Sequence, residues 1–216
     1  MRIINFSETN TVLNQFLSEI RDKNIQQERL RFRKNIGRIG SLMAYEISKT
    51  LDYEDKEVWS CLGKATCRVP SDTIVLCTIL RAGLPFHQGF LDIFDNAENA
   101  FVSAYRKYID EKNFVVHTEY IASPSIDGKT LVIVDPMLAT GKSLDLAVQA
   151  MLAKGHPKRI IVAAVIAARP AFKFLEEVLP KETEVYCAAI DEELNEHSYI
   201  VPGLGDAGDL LYGEKA

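Results

Sequence analysis

The chain predicts an α/β fold, doubly wound about a mainly parallel sheet and carrying an exposed β-flap. Three observations carry that expectation. The runs Ile74-Val75-Leu76-Cys77, Leu131-Val132-Ile133-Val134 and Ile160-Ile161-Val162-Ala163-Ala164-Val165 are apolar without polar alternation, as central parallel strands covered on both faces require. Amphipathic stretches at about 84–94, 143–154 and 170–178 fall between them, so strands and helices alternate. The passage from Thr130 to Leu152 reads as strand, tight loop and helix start in succession.

Taken in order, Val12, Leu13, Phe16, Leu17 and Ile20 mark a first amphipathic helix, and Ile36, Ile39, Met43 and Ile47 a longer second one. Both read as packing elements. Strands are expected at 73–80, 100–105, 114–121, 130–134, 159–167 and 184–190. The stretch 114–121 alternates only partly and is flanked by Asp110-Glu111-Lys112-Asn113 and Ser123-Pro124-Ser125. It therefore reads as one arm of a flap over the site, spanning about 106–128. No internal repeat or low-complexity segment interrupts the chain, and 216 residues at 47% hydrophobic content suit one domain, 1–216, with an ample core.

Formal charge is 25 − 30 = −5 with no long basic run, so neither a nucleic acid nor an anionic membrane is an expected partner. Cys61, Cys67, Cys77 and Cys187 lack metal-ligand spacing, and the N-terminus shows no signal peptide or spanning helix. A cytoplasmic setting with four buried free thiols is the simplest expectation.

The loop Asp135-Pro136-Met137-Leu138-Ala139-Thr140-Gly141-Lys142-Ser143 carries the strongest chemical signal. A strand-to-helix turn aims backbone N–H groups and the positive end of a helix dipole at one point; Thr140 and Ser143 add hydroxyls, and Gly141 admits close approach. Such a turn suits a phosphate monoester. Asp135 at the strand end can accept hydrogen bonds from a sugar diol, so phosphate and ribose together suggest a phosphoribosyl group. The triphosphate-binding P-loop is the rival, because Gly141-Lys142-Ser143 ends like its signature; that signature requires glycine where Pro136 stands. A strand-to-helix turn without a ligand is the remaining reading.

The segment Val134 to Gly141 resembles the phosphoribosyl-diphosphate loop of uracil phosphoribosyltransferases. Ile79-Leu80-Arg81-Ala82-Gly83-Leu84 resembles the family's diphosphate-side loop. The run from Asn195 through Pro202-Gly203-Leu204-Gly205-Asp206-Ala207-Gly208-Asp209 resembles its uracil-binding segment, placed at about 191–210. Glu28-Arg29-Leu30-Arg31-Phe32-Arg33 and Gly40 to Glu46 resemble its N-terminal helix, so the likeness covers nearly the whole chain. It implies a type I phosphoribosyltransferase fold and the reaction of uracil with 5-phospho-α-D-ribose 1-diphosphate to give UMP and diphosphate. It also implies Mg²⁺ as cofactor and a homodimer; GTP is an effector in some relatives.

Breaking the bond from ribose C1 to diphosphate develops negative charge on the leaving group, which must be held better as it leaves. Arg81 suits that task, and Arg106 is the second such group by resemblance. Asp206 is expected nearest the diphosphate or its metal, with capping of the glycine-rich turn as its structural alternative. Asp135, Pro136, Met137, Leu138, Ala139, Thr140, Gly141, Lys142 and Ser143 would bind the phosphoribosyl part. Backbone groups of Ile200, Gly205 and Ala207, beside Asp206, would read the uracil edge. Cytosine would leave buried backbone groups unpaired at a cost of roughly 1–3 kcal/mol each. His197 and Glu196 are read as structural and not as a catalytic base.

Three positions depart from the family pattern: Lys142 where a second glycine is usual, the stretch Gly83-Leu84-Pro85-Phe86-His87-Gln88, and Leu210 where a basic residue is frequent. The alternatives are an RNA-binding pyrimidine regulator on the same scaffold, and transfer to another base. For the regulator, Arg29, Arg31, Arg33, Lys34 and Arg38 would supply a basic face, although a solvated helix face is their expected role.

Overall fold

The computed structural model describes the backbone of residues 1–108 and 114–214, and the side chains of 1–103 and 120–214. The first half holds β1 (Arg2–Asn5), α1 (Leu13–Arg21), α2 (Arg29–Ser48), β2 (Tyr53–Trp59), β3 (Lys64–Pro70), β4 (Ile74–Leu80), α3 (Leu84–Leu91) and β5 (Glu98–Tyr108). Beyond these lie β6 (Phe114–Ala122), β7 (Thr130–Leu138), α4 (Lys142–Leu152), β8 (Arg159–Ala168), α5 (Arg169–Val178) and β9 (Glu184–Asp191). The short β10 (Glu193–Leu194), β11 (Ile200–Val201) and α6 (Ala207–Tyr212) end the chain's regular structure.

Seven strands form the central sheet in the order β1-β9-β8-β7-β4-β5-β6, and every pair is parallel except β5 with β6. From β4 the chain winds outward through β5 and β6, whereas from β7 it winds the other way through β8 and β9. The direction reverses between β4 and β7, so the loops leaving these two strands flank the crevice where ligands bind in open α/β sheets.

Alternation along buried strands builds two cores. Leu76, Val132, Val134, Ile161 and Ala163 face α1, α2 and α3; Val75, Cys77, Leu131, Ile133 and Val162 face α4 and α5. The expected stripe Ile36, Ile39, Met43 and Ile47 of α2 is completely buried. Helices α2 and α3 cross at glycines: a Cβ on Gly40 would lie 2.6 Å from the Phe86 carbonyl oxygen, and one on Gly89 would collide with the Gly37 carbonyl. Backbone therefore packs on backbone directly behind the Arg81 turn.

Three features were not expected from the pattern. Strand β1 has four residues, too few for a period, and finds its place through parallel pairing with β9. The β2–β3 hairpin pairs from Tyr53↔Pro70 to Trp59↔Lys64 with almost every residue exposed, so neither face carries an apolar alternation. Its presence corrects the expectation of four buried thiols: Cys61 and Cys67 lie exposed there, whereas Cys77 and Cys187 are buried and burial pushes both thiols up to about 12. The β10–β11 pair is the third, and its two-residue strands leave no periodic signal. The strand expected at 114–121 is β6, the antiparallel edge strand; the 109–113 part of the expected flap lies outside the described residues.

Candidate active site

Three loops at the carboxyl ends of the sheet assemble the candidate site. The first follows β7, which runs on to Leu138, so Asp135, Pro136 and Met137 belong to the strand and not to the loop. The pairing with β8 passes from Asp135↔Ala164 to Met137↔Ile166, skipping Pro136, which has no N–H to donate. The turn proper is Ala139-Thr140-Gly141. Gly141 has φ 82°, a left-handed conformation that glycine adopts without strain, and it caps α4 with no side-chain hydrogen bond to the helix amides. Its missing side chain also lets α5 close in, since a Cβ would come within 3.0 Å of Leu175 Cδ2 and Phe174 Cδ1.

Lys142 opens α4 and is exposed, its N–H reaching Thr140 Oγ1 at 3.5 Å. Among described residues only Ser198 has positive φ without being glycine, so Lys142 has an ordinary backbone and the conformational demand falls on Gly141. Asp135 is half-buried, with Oδ1 accepting from the Met137 N–H at 3.3 Å. Together with Ala139, Thr140, Gly141 and Ser143 it lines a cavity of about 30 Å³.

The second loop leaves β4 through the cis peptide Leu80-Arg81. Gly83 donates its N–H to the Ile79 carbonyl at 3.1 Å, and a Cβ there would collide with Thr78 Oγ1 and approach the Ile79 oxygen to 2.7 Å. The turn is thus folded onto its own strand, with Pro85 in the first turn of α3. The departing residues behind it have local roles. His87 is buried with Nε2 2.7 Å from Asn99 Oδ1, and desolvation holds its ring below the usual histidine range. Gln88 donates along α3 to Asp92 at 3.0 Å.

The third loop follows β9. Asn195 Oδ1 accepts from the His197 and Tyr199 N–H groups at 3.0 and 2.9 Å, closing the β10–β11 turn. His197 is exposed, 3.6 Å from the Glu196 carboxylate. After the cis peptide Val201-Pro202 the chain turns sharply at Gly203, φ 57°, where any Cβ would strike the Ile200 carbonyl. Gly205, φ 94°, is exposed, whereas Ile200 and Ala207 are buried. Asp206 caps α6, its Oδ1 accepting from the Asp209 N–H at 3.1 Å. Leu210 packs against the core.

The second and third loops meet. Arg81 Nη2 lies 3.5 Å from Asp209 Oδ1, an oxygen that is buried and has no hydrogen-bond partner, so the contact is ionic. Gly205, Asp206 and Asp209, with Gln26 and Arg29, border a cavity of about 320 Å³, a volume suited to a small molecule. Asp209 is the residue that sequence reasoning did not single out. Its spacing, an acid three residues after an Asp cap, was the available signal. The Arg106 side chain lies outside the described residues. Among described residues no three His, Cys, Asp or Glu side chains converge on one point.

The basic face of α2 is solvated as expected, with Arg29, Arg31, Lys34 and Arg38 exposed and Arg33 half-buried, and three of its five residues also bond internally. Arg31 binds Glu19 through two hydrogen bonds of 2.8 Å, and with Gln15 and Asn35 it lowers the Glu19 carboxyl to about 2. Arg33 donates to the Leu211 carbonyl at 2.7 Å, and Arg38 donates to Asn35 while lying over the Phe16 ring.

The model of the uracil phosphoribosyltransferase family matches residues 7–214. The uracil phosphoribosyltransferase of Porphyromonas gingivalis is 57% identical over 215 residues, covering 100% of each chain. That of Methanothermobacter thermautotrophicus is 41% identical over 206 residues, covering 94% of this chain and 93% of its own. The solved structure of the AQ2163 protein from Aquifex aeolicus superposes with a TM-score of 0.87 at 34% identity, covering 98% of both chains. A sheet that reverses direction at these loops, and a likeness that runs from end to end, have one meaning: the chain belongs to the uracil phosphoribosyltransferase family of pyrimidine-salvage enzymes.

Proposed function

We propose that the enzyme joins uracil to the phosphoribosyl group of 5-phospho-α-D-ribose 1-diphosphate, releasing UMP and diphosphate, at the junction of the three loops. The observation that carries this reading is the meeting of Arg81 with the Asp206–Asp209 helix start, one strand away from the glycine-led N-terminus of α4. The 5-phosphate is assigned to the 139–143 turn, where the N-terminal amides of α4 and the positive end of its dipole favour an anion and Lys142 adds positive charge. Asp135 is assigned to the ribose hydroxyls, and Pro136, Met137 and Leu138 shape the wall beneath the sugar. Arg81, joined by Arg106, grips the diphosphate as its charge grows, and in doing so exchanges Asp209 for substrate oxygens.

The backbone of Ile200, Gly205 and Ala207 reads the uracil edge, and Asp206 stands between base and diphosphate. Residues present fit a magnesium ion: Asp209 Oδ1 is a buried carboxylate oxygen without a hydrogen-bond donor, next to Asp206. These two acids and the diphosphate would hold Mg²⁺, which when bound offsets charge on the leaving group. We read the whole chain as one catalytic domain with the β5–β6 hairpin as its cover. The four free cysteines suit a reducing cytoplasm, and among described residues no helix is long and apolar enough to cross a membrane.

A homodimer is proposed from the β2–β3 hairpin, since a two-stranded ribbon with Trp59 78% exposed at the end of β2 and Leu62 95% exposed in the turn is marginal in water on its own. The RNA-regulator alternative is disfavoured, because Arg31, Arg33 and Arg38 are tied to Glu19, Leu211 and Asn35. The deciding assay measures nucleotide formation from phosphoribosyl diphosphate and a panel of bases with Mg²⁺, with and without GTP. Uracil is expected to react and cytosine, orotate and hypoxanthine to remain unchanged. Equal turnover of uracil and orotate would sink the backbone-edge reading.

A further inference from the structure

One ion pair outside the reacting groups is built into the base-binding segment. Arg21, the last residue of α1, binds Asp191, the last residue of β9, through both guanidinium ends: Nη1 to Oδ2 at 2.8 Å and Nη2 to Oδ1 at 2.7 Å. Both partners then continue to the same glycine. Arg21 Nη1 donates to the Gly203 carbonyl at 2.9 Å, and the Gly203 N–H donates to Asp191 Oδ2 at 2.9 Å. Asp191 is 7% exposed and the Gly203 N–H bond is buried, so that bond is shielded from competing water, while the three Arg21 contacts are part-buried.

Holding both the N–H and the carbonyl of one residue fixes the two peptide planes on either side of it. Gly203 is where such control has effect. It sits at φ 57° against the Ile200 carbonyl, and it lies between Ile200, the first backbone group assigned to the uracil edge, and Gly205 and Ala207, the others. A glycine with no side chain to anchor it would otherwise hinge there. We infer that Arg21 and Asp191 form a positioning clamp that sets the spacing of the backbone groups at 200 and 205–207, and so govern how tightly and selectively uracil is read. The inference rests on the proposed base-binding role of that segment.

The test measures steady-state kinetics for each substrate separately, with the full-length enzyme. Arg21→Ala and Asp191→Asn are expected to raise KM for uracil by on the order of tenfold or more, the scale set by small displacements of a binding group, while KM for phosphoribosyl diphosphate stays within about twofold. Arg21→Lys retains a donor to Asp191 and should recover part of the uracil affinity. Arg31→Ala serves as the control: it removes an equally short bidentate pair made with Glu19, on the same α1 as Arg21, and the hydrogen bonds of Glu19 run to Gln15, Arg31 and Asn35 and not to Gly203. It should lower Tm without moving KM for uracil. If Arg21→Ala fails to fold, Asp191→Asn and Arg21→Lys still decide the matter. Clamp variants that lose Tm like Arg31→Ala but keep the wild-type uracil KM would reduce the pair to a structural tie and overturn the inference. Wild-type enzyme that does not saturate with uracil would instead overturn the base reading itself, and the clamp with it.

Discussion

At the scale of single residues, two positions combine a structural task with a chemical one. Asp206 demonstrably caps α6, and the same carboxylate is assigned to the diphosphate side. Asparagine keeps an oxygen for the Asp209 N–H but removes the charge, so Asp206→Asn separates the tasks. The expected outcome is an unchanged Tm with kcat reduced by about a hundredfold or more, the scale of losing one transition-state electrostatic contact. Near-wild-type turnover by the folded variant would leave the cap as the whole role of Asp206. Lys142 poses the reverse case. Because Gly141 takes the left-handed conformation of this turn and Lys142 does not, lysine at the next position costs no strain and adds a charge beside the proposed phosphate site. Lys142→Gly should keep kcat within a few-fold and raise KM for phosphoribosyl diphosphate modestly, by an amount that shrinks as salt is added. An activity gain of a hundredfold would mean that lysine obstructs the site, and would count against the assigned reaction.

At the scale of elements, the supports of the site are contacts between backbones. The α2–α3 crossing places Gly89 against the Gly37 carbonyl with no room for a methyl group, whereas a Cβ on Gly37 would meet the Pro85 oxygen at 3.3 Å. Gly89→Ala should therefore destabilise by roughly 1–3 kcal/mol, the usual range for overpacking, and Gly37→Ala by clearly less, as thermal melts would register. Equal melting temperatures would mean that the helices can slide apart freely. These contacts also mark how far the sequence was legible. Central strands announced themselves because burial on both faces leaves runs such as Ile160 to Ala164 uninterrupted, and the α2 stripe because one face must be apolar. The loops after β4 and β7 were readable because glycine and a strand-to-helix turn have few other uses. Not readable were β1, which takes its register from β9, and the β2–β3 hairpin, whose polar faces carry no period. Asp209 was hidden for a similar reason. Its partner Arg81 is distant in sequence, and only the folding of α6 against the β4 loop brings the two within 3.5 Å.

At the scale of the whole molecule, charge and exposed apolar surface point in the same direction. The chain carries a net −5, and three of the five basic residues on the exposed face of α2 already hold internal hydrogen-bond partners with which a polyanion would have to compete. The β2–β3 hairpin instead offers Trp59 at the end of β2 and Leu62 in its turn nearly bare, in a two-stranded sheet separate from the central one. A ribbon of this kind gains little by burying itself on its own protomer and much by lying across a second copy, where tryptophan is a favoured anchor. Substitution should act on assembly and leave the fold alone. If the proposed homodimer forms through this ribbon, Trp59→Ser is expected to weaken it by about 2 kcal/mol or more, roughly thirtyfold in the dimer dissociation constant, as sedimentation velocity across a concentration series would show. Adding Leu62→Ser should deepen the effect while the Tm at high protein concentration changes little. A double variant that still sediments as the wild type does, dimer for dimer, would place the subunit contact elsewhere and leave the hairpin's exposed tryptophan to some other partner.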